Sequence, residues 1–177
     1  MKDVSRDNFG LLIAYVLPGF VVLWGLQPYV ADVREWLGTE QAGTPTIGGF
    51  LYGTLASTAV GLFVSAIRWA VVDRLYHLTG IREPRWDFSA LSTRLAAFET
   101  LVEYHYRYYQ FYANMMVALG FSAGIVVVVE GRLPFQEPFG NASLILVLAV
   151  LVAGSRDALR KYYTRVSALL RPPRDTT

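Results

Sequence analysis

The chain has 177 residues, 54% of them apolar, with a mean hydropathy of +0.35 and a formal charge of +2. A soluble domain carries about 45–50% apolar residues, so this composition points to a membrane protein, a single membrane domain over residues 1–177. Cysteine is absent, which excludes disulfides, thiolate metal sites and cysteine nucleophiles, and the small positive charge asks for no nucleic acid, whose binders concentrate basic residues on one face.

A hydrocarbon core about 30 Å thick needs roughly 17–25 apolar residues per helix. Four stretches meet that requirement, at about 9–31, 46–69, 108–130 and 138–155. The first follows "MKDVSRDN", whose two acids stand beside two bases, and no A-x-A cleavage site comes after it, so it is expected to be retained as a span. Pro18 and Gly19 fall in its middle, where proline removes a backbone hydrogen bond and predicts a packing kink. Residues 32–45 then form a short acidic loop rich in Gly and Thr.

The second span has a small residue at every fourth position: Gly49, Gly53, Ser57, Gly61 and Ser65. In lipid, helices associate through close backbone approach, so this smooth groove predicts tight packing, first of all on span one or three. The segment 70–107 follows. Gly80 and Pro84 mark a loop, Asp87 or Ser89 can cap the next helix, and Phe88, Leu91, Leu95, Phe98, Val102, Tyr106 and Tyr109 recur at helical steps, so this helix runs on into the third span.

At the entrance to that span Tyr104, Tyr106, Tyr108, Tyr109 and Tyr112 read as an interfacial aromatic belt. Glu103, Arg107, Gln110 and Asn114 share one stripe, in line with Glu99. Polar groups at this depth face protein or a lumen, because lipid offers them no partner. Gly120 and Gly124 form one G-x-x-x-G packing pair. They also frame "GFSAG", which matches a hydrolase elbow but lies on a helix, about 25 Å along the axis from His105.

After the turn "GRLPFQEPFG", the triplet Asn141-Ala142-Ser143 reads as a helix cap at the mouth of the fourth span. The tail 156–177 extends that helix through Leu159, Tyr162, Val166 and Leu169 until Pro172 and Pro173 stop it. Of the 16 Lys and Arg residues, only Arg34 and Arg132 fall in the two loops of one side, so the positive-inside rule puts both termini in the cytoplasm. Arginine greatly outnumbers lysine, a bias of GC-rich bacterial coding that carries no function.

The expected fold is therefore an all-α, four-span, multi-pass inner-membrane protein, with helices 3 and 4 extended into the cytoplasm. The expected role is a non-enzymatic membrane subunit or anchor, working with the lipid bilayer, with copies of itself as a homo-oligomer, or with a cytoplasmic protein docking on Phe88 to Tyr109 and the basic tail. A homo-oligomeric pore or channel, even a membrane-disrupting effector, lined by Arg107, Gln110 and Asn114 is the alternative. The acid-and-histidine set Asp73, His77, Glu99, Glu103 and His105 can gather at the cytoplasmic face as a lipid-headgroup site, though no spacing demands it. A lipid-modifying enzyme using His105, Glu103 and Asp73 is the weakest reading. No catalytic residue, cofactor or metal is called for.

Overall fold

The computed structural model describes residue 10 and residues 12–38 and 47–170, and these are mostly helical with no strand among them. The helices are α1 (Leu12–Leu26), α2 (Ala31–Trp36), α3 (Ile47–Leu78), α4 (Leu91–Glu130) and α5 (Pro138–Leu169). Three of them, α3, α4 and α5, are long and apolar enough to cross a membrane. At 32, 40 and 32 residues they measure roughly 48–60 Å, well beyond a hydrocarbon core of about 30 Å. Each therefore has length left over outside the lipid.

The apolar helix α1 is shorter, and residues 9 and 11 of the first expected span, with residues 1–8 before it, lie outside the described residues. At its other end α1 closes at Leu26 instead of reaching Ala31. Pro28 contributes to this because it supplies no N–H to continue the helix, although Gln27 before it still has helical geometry (φ −52°, ψ −36°). By Val30 the backbone is extended (φ −124°, ψ 112°). Where a loop was expected, α2 makes a short helix held by buried Val33 and by Arg34, which donates to the carbonyls of Gln27 (3.3 Å) and Pro28 (2.9 Å). Residues 39–46 of that loop lie outside the described residues.

α1 packs on α3 and α4, and α4 packs on α5. One end of the bundle forms a head, where α3 beyond Arg68, the loop 79–87, the start of α4 and the end of α5 share one core containing Val72, Tyr76, Ile81, Tyr109, Leu159, Tyr162 and Val166. Gly80 turns the loop at φ +95°, a conformation open to glycine without strain. Asp87, rather than Ser89, is the cap: its carboxylate accepts the Ser89 N–H at 2.9 Å. The helix after it runs on into the apolar part of α4, as its periodicity implied, but across a kink at Arg94 (φ −124°, ψ 15°) and a π-helical turn at Val102–Tyr106. Phe98, Val102 and Tyr106 of the predicted stripe pack on the core, whereas Phe88 and Leu95 remain about half exposed.

At the opposite end Gly131 closes α4 in the left-handed region (φ +63°). Asn141 does not occupy the cap position of α5, which is Glu137. From inside the first turn its side chain reaches back to the Phe135 carbonyl (2.7 Å) and accepts the Phe135 N–H (3.3 Å), closing the preceding turn. The helical tail extends to Leu169, and Pro172 and Pro173 lie outside the described residues.

Candidate functional site

The polar stripe of α4 meets α1. Proline at position 18 cannot donate to the carbonyl of Ala14, four residues back, and its ring crowds that oxygen. The chain answers by widening: Leu12–Val16 is a π-helical turn. The Asn114 side chain, fully buried, donates to the Ala14 carbonyl at 2.8 Å. One turn along α4, Gln110 donates to the Tyr15 hydroxyl (3.1 Å), and further down Ser122 donates to the Val21 carbonyl (3.1 Å). Asn114 and Gln110 therefore face a helix, not a lumen, and the "GFSAG" serine is a packing contact beside Gly25. Glu103 and Arg107 line a recess of about 410 Å³ with Gly10, Ile13 and Tyr108, and the Arg107 side chain lies close against Gly10.

The small-residue ladder faces α1 as well. A Cβ on Gly19 would overlap the Ser57 carbonyl oxygen and stand 2.7 Å from the Gly61 nitrogen, and one on Gly61 would overlap the Tyr15 carbonyl. Backbone touches backbone at this crossing. Gly53 is buried beside Leu37, while Gly49 and Ser65 at the ends of the ladder are partly exposed. The pair Gly120 and Gly124 behaves differently: nothing lies within 4 Å of a Cβ at either position, so in a single copy they pack no described neighbour.

The expected aromatic belt divides. Tyr104 and Tyr108 are more than half exposed, and Tyr112 lies against Gly154, but Tyr109 is only 1% exposed and Tyr106 packs into the head. Both also belong to the apolar stripe, and burial against α5 decides their place. The Tyr109 hydroxyl donates to Asp73, and Arg68, 4% exposed, sits over its ring at 5.1 Å and pairs with Asp73 at 3.2 Å. Residues five apart on an α-helix point about 140° away from each other. Arg68–Asp73 is a π-helical turn, whose i,i+5 repeat returns the two side chains to one face. Beside this group, the Tyr76 and Ser155 hydroxyls lie 2.6 Å apart, and Arg156 covers the Tyr76 ring at 5.1 Å while donating to Thr79 (2.6 Å).

No protein-family model, curated protein or solved structure matches this chain. The site therefore has to be read from its own chemistry.

Next to the Arg68–Asp73–Tyr109 group opens a recess of about 430 Å³. α3 contributes Trp69, Asp73, Arg74 and His77, the loop Glu83 and Trp86, α4 Tyr106 and Tyr109, and α5 Tyr162 and Tyr163. Trp86 is pinned by its N–H to Ser167 (3.0 Å) and meets Tyr162 and Tyr163 edge to face. Burial, reinforced by neighbouring Tyr106 and the Glu83 carboxylate, pushes the Tyr162 hydroxyl up to about 12, and burial with Glu83 raises Tyr163 as well. Both rings are neutral under any physiological condition.

Of the acid-and-histidine set read from the sequence, Asp73 and His77 enter this recess, whereas Glu103 lines the other one. His105 accepts from Arg165 at 2.5 Å, and burial, then Arg165 and Lys161, holds its pKa below the ordinary histidine value. Sequence reasoning missed Arg68, Trp69, Trp86 and Tyr163. The signal available was a charge and a tryptophan at the end of an apolar run, with a carboxylate five residues on.

Proposed function

We propose that this chain is a non-enzymatic, four-span inner-membrane anchor, with α1 and the residues before it as the remaining span and with both termini and the head in the cytoplasm. The observation that carries the reading is the closed interior. The amides of Gln110 and Asn114 are bonded across α1 and α4, while α3, α4 and α5 rise together into one packed head. A membrane protein built this way offers a partner its head, through the half-exposed Phe88 and Leu95, or offers a second copy its flank. Gln110 and Asn114, the candidates for a pore lining, are engaged inside the bundle, and Asp73 and His105 are held by arginines, so neither the pore nor the enzyme is carried forward.

Native mass spectrometry in nanodiscs, with a pull-down from source membranes, tests the role: oligomers or a captured partner lost on Phe88→Ser with Leu95→Ser support it, and monomer without partner removes it. The cysteine-free chain makes orientation simple to test. Ser92→Cys is expected to react with an impermeant maleimide only from the cytoplasmic side and Arg132→Cys only from the other, and the reverse pattern would invert the topology.

A further inference from the structure

We propose that the head recess binds an alkylammonium group, carried by the headgroup of a zwitterionic phospholipid or by a free quaternary amine. An aromatic face attracts a cation through its quadrupole, and several faces around one space make a cage for ammonium groups. Trp69, Trp86, Tyr106 and Tyr163 supply such faces here, with the carboxylates of Asp73 and Glu83 at the same wall. The head already uses its rings in this way, since Tyr109 and Tyr76 each hold an arginine at 5.1 Å.

The cage is built in advance. Trp86 is fixed by Ser167 and by edge-to-face packing, so little ordering cost falls on binding. Its volume, about 430 Å³, lies in the range of small-molecule sites. The Nε2 of His77 is buried without a hydrogen-bond partner, which leaves a polar group ready to meet a ligand atom. The lip is Trp69, 65% exposed on α3 where the apolar run ends, with Arg74 also exposed beside it. A lipid entering at headgroup depth would place its ammonium among the rings and its phosphate near Arg74. This inference does not depend on whether the head also docks a protein.

The test uses the full chain in two settings. In detergent, tetramethylammonium chloride is titrated by calorimetry against a sodium chloride control. In phosphatidylglycerol nanodiscs doped with phosphatidylcholine or phosphatidylethanolamine, native mass spectrometry reads which lipid stays bound. Saturable tetramethylammonium binding, or selective retention of the zwitterionic lipid, is expected, weakened about tenfold by Glu83→Gln and by Trp69→Leu, a loss within the reach of desolvated cation–π contacts. Both positions are exposed, and an unchanged helical circular dichroism spectrum checks the fold. Retention of lipid without binding of the free ion assigns the lipid as source, and the converse assigns a soluble amine. Absence of both, binding indifferent to both variants, or inorganic phosphate binding in place of the ammonium overturns the proposal.

Discussion

At the crossing of α1 and α3, Gly61 brings its backbone against the carbonyl of Tyr15, whereas further along α3, in the head, Arg68, Tyr76 and Tyr109 hold large side chains in contact. On the proposed topology the difference follows from the solvent. Lipid tails are as apolar as leucine, so burial of a large side chain drives nothing there, and helices gain from close approach and from hydrogen bonds such as Asn114 to Ala14. In the head water is the alternative, and ring burial becomes the main favourable term. One chain thus uses two adhesives, each suited to its level.

The strongest way to break this contrast is steric. Gly61→Val is expected to displace α1 and cost about 4 kcal/mol, the top of the range for single substitutions, in steric-trap or chemical unfolding. Gly124→Ala, with nothing within 4 Å, should stay within about 0.5 kcal/mol of wild type. Equal losses at the two sites would mean that the α1 crossing is not a backbone contact. Second, Asp73→Asn leaves Arg68 charged and nearly enclosed, and removing one partner of a buried pair costs about 3 kcal/mol. Replacing Arg68 and Asp73 together by Met and Leu should recover much of that loss in the same measurement.

Third, Asn114→Leu should cost about 1 kcal/mol, the usual scale for an interhelical hydrogen bond in lipid. The sharper form is a double-mutant cycle: in a Pro18→Ala background residue 18 regains its N–H, so the Asn114→Leu loss should shrink. Additive losses would separate the amide from the proline.

The smallest effect is one of pH. Burial, Arg165 and Lys161 hold His105 below its ordinary pKa of 6.5, opposed by Asp157. A group with a lowered folded pKa contributes stability above the unfolded value and loses it as pH falls through the folded one. Near the surface this contribution is small, because solvent screens it. Protection factors in residues 100–106, which remove the intrinsic pH dependence of amide exchange, should fall from pH 7 toward pH 5, and His105→Gln should flatten that dependence.

Much of this was legible in the residues. Glu103, Arg107, Gln110 and Asn114 align because four residues span little more than one helical turn, so their common face follows from spacing alone. That the last two meet α1 is a different kind of fact, since many neighbours satisfy an inward amide. Tyr109 shows where pattern reading divides: it fits both an interfacial belt and an apolar stripe, and its burial against α5 together with its contacts to Arg68 and Asp73 chooses between them. Arg68 and Asp73 were invisible as a pair because α-helical spacing sets them on different faces, and a π-turn is a local departure with no clear sequence mark. Trp69, Trp86 and Tyr163 lie far apart in the chain, and their convergence depends on how three helices and a loop close over one core.

By itself the amino-acid order determined the membrane class, the long apolar helices and the polar face of α4, because these depend on solvent and on helical periodicity, which act on each segment alone. Tertiary structure decided which glycines touch, which carbonyl Asn114 serves and where the aromatic recess opens, because those contacts join residues up to about a hundred positions apart and exist only once the helices have packed.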